Sequence, residues 1–326
     1  MSSMQNLVCP SVGSPARPQK AFSPVWALAT TALILSLGAG LGAQESVVVE
    51  AEEPELQVED VDSIETLQKF IRQRESKITS LRLSLHTEIS PEPDVRMTMD
   101  SEVRVLSGTH LHMTARTVFP GDIEVETESV QRPGGNYFRE DDPLQGEVFT
   151  SMTPEFRQRV EEATAVLANE GIPAPQISPE ADALLGAQML EDMNRSFEFT
   201  IDGPRVVGGE RVWIVGGPLR LAGESEDLLG TGADRASLIV RTRDGLVQQV
   251  TQFREGRSVF DAKVVEFFAN PELDPESFRI DLPAGQEWID VMDHPPAQQQ
   301  FEELFQLAEE LKKEQPPAPE GGDGGR

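Results

Sequence analysis

His110 and His112 stand two residues apart in a stretch that alternates apolar and polar side chains, so both project from the same side of a strand. Glu126 and Glu128 hold the matching spacing in the next alternating stretch. Two imidazoles with a facing carboxylate are a donor set suited to a transition metal. Glu124, Glu126 and Glu128 together could supply one carboxylate of an acid/base pair. Such pairs usually combine carboxylates from separate strands in a cleft, whereas these three line one strand and repel one another. All five residues fall on the polar side of their segments, where a solvated face explains them without chemistry. No His-Glu-x-x-His, Gly-x-Ser-x-Gly or Walker sequence is present. Gly208-Gly209 and Gly216-Gly217 flank a strand-like stretch without a following helix, so they read as turns and not as a phosphate loop. The expectation is a protein that is not an enzyme and carries no metal or cofactor.

Composition sharpens this. The chain has 326 residues, 28 Lys+Arg against 56 Asp+Glu, a net charge of −28, and a single Cys. That charge argues against nucleic acid and anionic lipid surfaces as partners. One thiol allows no internal disulfide and no Cys-based zinc site. Residues 1–43 carry Arg17 and Lys20, then an apolar run and a small-residue end, Gly38-Ala39-Gly40-Leu41-Gly42-Ala43. This is the pattern of a signal peptide, or of a membrane anchor through residues 25–43 if the run is retained. It predicts a periplasmic or otherwise extracytoplasmic protein. Removing it would take away Cys9, two basic residues and no acid. Residues 44–61 are acidic without a base and read as a disordered linker.

The elements that must position any site come next. Asp62 and Glu65 have capping-box spacing, and Ile64, Leu67, Phe70 or Ile71, Arg74 and Ile78 step along one face of an amphipathic helix. The period then changes to two. Leu81, Leu83, Leu85 and Ile89 alternate with polar residues. So do Val95, Met97, Met99, Val103 and Val105; Leu111, Met113, Ala115 and Phe119; and Ile123 and Val125. Short turns join them, which predicts an antiparallel meander with one dry face. Two helices, Pro154–Asn169 and Pro179–Asn194, interrupt it as an insertion over 154–194. Strands resume at Phe197, Phe199 and Ile201, and Asp244-Gly245 and Glu255-Gly256 mark two hairpins. Phe278–Leu282 reads as a last strand. Ala297–Glu314 is an amphipathic helix with Phe301, Leu304, Phe305, Ala308 and Leu311 as its stripe, and 315–326 is a disordered tail.

The fold class is therefore α+β, a curved antiparallel sheet of about eleven strands whose apolar face is covered by helices. If the helices fill it, the result is a core; if they fill it incompletely, the result is an apolar pocket. Met97, Met99, Met113, Met189 and Met193 all fall on dry faces. Methionine suits surfaces that repack around varied ligands, and it also serves as ordinary core filling.

The closing stretch from Val264 to Gly285 has an N-x-x-L-x-x-x-x-F segment at Asn270–Phe278, then F-x-x-x-L-P-x-G from Phe278. With Asp244-Gly245-Leu246, the opening helix and Ser80–Thr87, it resembles the LolA-like family of outer-membrane lipoprotein carriers over about residues 62–292. Where the carriers typically have an aromatic residue and a Gln, the first strand here has Leu81-Arg82-Leu83-Ser84-Leu85. The resemblance implies an unclosed β-barrel with a helical lid and an apolar cavity for lipid or lipoprotein acyl chains. Leu83, Leu85, Met97, Met99, Met113 and Phe199 would line it, with Met189 and Met193 from the lid. It implies as an alternative an envelope sensor or protein-interaction module without a lipid ligand. Such a module would meet an envelope protein through its acidic surface or its C-terminal helix.

Overall fold

A computed structural model describes residues 55–106, 109–143, 146–169, 186–220 and 232–314. The signal or anchor over 1–43, the linker over 44–54, residues 179–185 of the second insertion helix and the tail over 315–326 lie outside the described residues. No helix among the described residues is long and apolar enough to cross a membrane.

Among the described residues, twelve strands make one unclosed sheet. They are β1 (Ser80–Glu92), β2 (Val95–Leu106), β3 (His110–Phe119), β4 (Ile123–Arg132), β5 (Gly135–Asp142), β6 (Gly146–Met152), β7 (Thr200–Val207), β8 (Glu210–Pro218), β9 (Arg235–Arg241), β10 (Val247–Arg254), β11 (Arg257–Ala269) and β12 (Ile289–Asp290). Their order is β12-β6-β5-β4-β3-β2-β1-β11-β10-β9-β8-β7. All pairs are antiparallel except β12 with β6. The helices are α1 (Ile64–Glu75), α2 (Pro154–Asn169), α3 (Gly186–Ser196) and α4 (Pro295–Glu314).

Alternation fixes the faces. Leu83 opposes Val103, Val103 opposes Met113, Met113 opposes Ser129, and Ser129 opposes Phe138. In the other direction Leu83 opposes Phe267. Side chains directly opposite share a face, so this row lies on the concave side together with Leu81, Leu85 and Ile89. The expected α+β architecture, a curved unclosed sheet with helices over its concave face, is the one observed.

Two helix pairs cover the ends of that face. α1 and α3 lie over β8–β11, with Leu67, Phe70, Ile71, Leu190 and Met193 packed against Trp213, Val215, Leu238, Val250 and Phe260. Gly245, in the β9–β10 turn at φ +72°, would place a Cβ 3.2 Å from the Cα of Ile71, so glycine lets α1 approach the sheet there. α2 and α4 lie over β5 and β6, with Val160, Ala163, Leu167, Phe301 and Phe305 against Met152 and Phe138. The insertion therefore does not act as one lid. Its two helices part: α3 docks with the first helix of the chain and α2 with the last.

Four further details differ from expectation. The N-cap of α1 is Ser63, one residue later than the Asp62/Glu65 spacing suggested. The Thr66 hydroxyl accepts from both the Asp62 and Ser63 amides, so Thr66 performs the task assigned to Glu65. Residues 55–61, expected within the linker, dock instead. Leu56 and Val58 pack against the core, and Glu55 pairs with Lys77 at 2.6 Å and with Arg74. The Lys77 ammonium, with Arg74 behind it, holds the Glu55 carboxyl below its usual range.

Phe278–Leu282 is not a strand. The segment from Leu273 to Trp288 straps the convex face, burying Phe278 and Ile280 with Val130 and Phe149. Its alternation reflects one-sided burial and not ladder pairing. Consequently part of the face expected to be wet is dry: His112 is only 5% exposed. Arg96, Arg104 and Arg116 do lie on that side, facing Glu88, Glu102 and Glu124.

Candidate ligand-binding face

The eight residues singled out from the sequence fall into two groups. Leu83, Met99 and Met113 are buried in a cluster with Leu81, Val103, Val105, Leu111 and Ala115, and Leu85 packs against it. Met193 and Phe199 are buried in the cluster under α1 and α3, where Met97 and Met189 also pack. The structure thus does not bring the two groups into one cavity wall. Phe199 stacks on Phe197 at 5.8 Å, just before β7, and Phe70 meets Trp213 edge-on at 5.2 Å. Met97, Met189, Met193 and Phe199 are fillers of that helix-covered core.

The central cluster is different in kind. Its members come from β1, β2 and β3, flanked by Val264 and Phe267 of β11 and by Ile78 after α1. Among the described residues no helix contributes to it. It lies, in strand order, between the end covered by α1 and α3 and the end covered by α2 and α4.

The concave floor changes chemistry along its rows. One row runs Val264, Leu85, Ser101, Ala115, Thr127, Glu140 and Val148. The next runs Phe267, Leu83, Val103, Met113, Ser129, Phe138 and Thr150. In these two rows β11, β1 and β3 contribute only apolar side chains and β2 departs from this at Ser101, while the row beside them adds the buried Thr87 and Thr117. Over β4 and β5 it carries Thr127, Ser129 and Glu140. The hydroxyl oxygens of Ser101, Thr127 and Ser129 are buried and meet no hydrogen-bond partner. Burial pushes the Glu140 carboxyl above its usual range, and the neighbouring Asp142 carboxylate adds to this. Sequence reading passed over these residues. The signal was there: Ser101, Thr127 and Ser129 are polar residues at the parity of the dry face.

Both histidines have protein partners. Arg104 can only donate, so its 3.0 Å contact makes Nδ1 of His112 the acceptor. Nε2–H then donates to Glu128 at 2.7 Å, so both ring nitrogens are engaged. His110 meets Phe278 edge-on at 5.5 Å. Glu124 is held by Arg116, with Nε–Oε1 at 2.5 Å, and the guanidinium keeps that carboxyl below its usual range. Among the described residues no group of three or more His, Cys, Asp and Glu is placed to hold a metal.

Comparison with known proteins adds structural neighbours at low similarity. No family model matches the chain, and no curated protein matches it in sequence. The chain is similar to an uncharacterized conserved protein from Thermus thermophilus, at 13% identity and a TM-score of 0.37 over 68% of this chain and 98% of that one. It is similar to LprF from Mycobacterium bovis, at 15% identity and a TM-score of 0.36 over 65% and 96%. It is also similar to the MucA/MucB complex of Pseudomonas aeruginosa, at 10% identity and a TM-score of 0.35 over 66% and 61%.

Proposed function

We propose that this protein binds the acyl chains of a lipid or lipoprotein on its concave face, without catalysis, in an extracytoplasmic compartment. The observation that carries the reading is the central cluster of Leu81, Leu83, Leu85, Met99, Val103, Val105, Leu111 and Met113. It is a continuous apolar strip of strand residues, to which no described helix contributes. Two of its members are methionines, whose flexible side chains adapt to chains of varied length. Transfer of each methylene from water onto such a surface contributes about 0.8 kcal/mol before the costs of ordering. The location rests on the basic, apolar and small-residue order of residues 1–43. Native mass spectrometry of protein isolated from its own membranes tests the reading, with co-purified acyl mass expected. If the delipidated protein also takes up no fatty-acyl probe, the reading fails.

A second reading, a protein-interaction module, is favoured by one observation. β7 is an edge strand whose Val206 is 70% exposed, beside an exposed Val207. An open edge of this kind pairs with an extended segment of another chain. α4 does not support this reading, because its stripe of Phe301, Leu304, Phe305 and Ala308 is used inside the fold. Loss of a captured envelope protein on Val206→Lys, with lipid uptake unchanged, would favour it.

A further inference from the structure

Three hydroxyl groups sit where an acyl-binding floor would need none. Ser101 and Ser129 are 6% and 7% exposed, and their oxygens, like that of Thr127, have no partner. A buried hydroxyl without a partner is unfavourable, so its presence calls for a group that completes it. The register puts the three together. Thr127 and Ser129 share the concave side of β4, and Ser101 faces Thr127 across the single residue Ala115. The apolar strip borders them on one side, through Met113 and Val103. On the other side stand Glu140, directly opposite Thr127, and the buried Asp142.

The charges here select. A phosphate or carboxylate placed among the hydroxyls would face two acidic side chains across the strand. Arg157 of α2, which reaches this end of the floor at Gln131, is already ion-paired with Glu161 at 2.6 Å. An uncharged head that both donates and accepts has no such conflict, since each hydroxyl here can do either.

We propose that Ser101, Thr127 and Ser129 form a head-group site for an uncharged, hydroxyl-bearing amphiphile of the acylglycerol type, whose chain lies along the strip from Met113 to Leu83. This rests on the acyl-binding reading and specifies its ligand class. The head's own hydroxyls both donate and accept, whereas a bare ester or a carboxylate only accepts, so the wrong ligand leaves part of the site's hydrogen-bonding capacity unused.

The test uses the delipidated full chain and competition against a fluorescent acyl probe at neutral pH. Three ligands share one chain: 1-monooleoylglycerol, methyl oleate and oleate. Monooleoylglycerol is expected to bind about ten-fold more tightly than methyl oleate, with oleate weakest. In the triple variant Ser101→Ala, Thr127→Val, Ser129→Ala, the first two should converge to within about two-fold, because monooleoylglycerol loses more affinity than methyl oleate does. The variant removes only unsatisfied groups, so its melting temperature should equal or exceed that of the parent. Equal binding of the two uncharged ligands by the parent, tightest binding of oleate, or a preference that survives in the variant would each overturn the head-group site alone. Failure of all three ligands to displace the probe, or of the probe to bind, would overturn the acyl-binding reading as well.

Discussion

Phe70 and Trp213 meet edge-on at 5.2 Å, each wholly buried, one on the first helix and one on a strand near the far edge of the sheet. The pair anchors α1 to the concave face. Phe70→Ala removes the ring from a close-packed site and should destabilise the fold by about 3–5 kcal/mol. Phe70→Leu, which keeps most of the volume, should cost clearly less. Chemical denaturation of the two variants against the parent measures the difference. A loss below about 1 kcal/mol for the alanine variant would show that α1 is not anchored there.

The convex strap makes a separate claim. Trp288 lies 5.0 Å from Tyr137 and 5.8 Å from Phe149, both edge-on, and Phe278 is buried beside His110. Phe278→Ala should cost about 3–5 kcal/mol, as for other buried aromatic truncations. The more diagnostic readout is hydrogen exchange. Protection should fall in β3 to β6, where the strap lies, and remain in β8 to β10, which it does not touch. Uniform loss across the sheet would refute the local role.

Much of the fold was legible because period and parity are imposed by burial. The meander, the hairpin turns and α4 stand where alternation and the 3.6-residue stripe put them. The convex strap was not legible, because Phe278, Ile280 and Leu282 alternate just as a strand does; only pairing tells them apart. Nor did the sequence reveal which helix meets which, since every amphipathic stripe asks for an apolar partner without naming it. The candidate site was legible in its apolar half, through Leu83, Met99 and Met113. Its polar half was hidden by reading dry faces for apolar residues only, which skips Ser101 and Ser129.

Glu140 gives a pH prediction. Its folded pKa is raised by burial first and by Asp142 second, so the folded state holds this proton more tightly than the unfolded chain does. Stability from this group is complete below the unfolded value. It is lost as pH rises from there through the folded value, and is flat above it. Glu140→Gln should remove that decline and leave the variant relatively more stable at neutral pH than under acid conditions. Thermal melts of both proteins between about pH 4 and 8 check the sign. A parallel decline in both would show that Glu140 is not the source.

Truncation before α4 tests whether that helix is an appendage or part of the core. Phe301 and Phe305 both lie edge-on to Phe156, at 5.1 and 5.7 Å, and Arg159 stacks over Phe305 at 4.0 Å. Removing residues 295–326 should uncover Phe138, Met152 and Val160, lower the melting temperature and promote aggregation. A truncated chain that melts like the parent would make α4 dispensable.

The two halves of the sheet are joined by one seam, β1 against β11, where Leu81 opposes Ala269 and Ile89 opposes Phe260. Every other antiparallel pair is a neighbour in sequence. Each half can therefore form early from local contacts, but the halves cannot join until residue 269 is available, and the strap and α4 come later still. Loop closure over that distance makes the seam a slow step in folding. Until then β1 presents an unpaired edge, directly beside the strip assigned to acyl chains. The order of assembly thus leaves the apolar strip bounded on one side only until β11 arrives, so that during this interval it is open to whatever hydrophobic material surrounds the nascent chain.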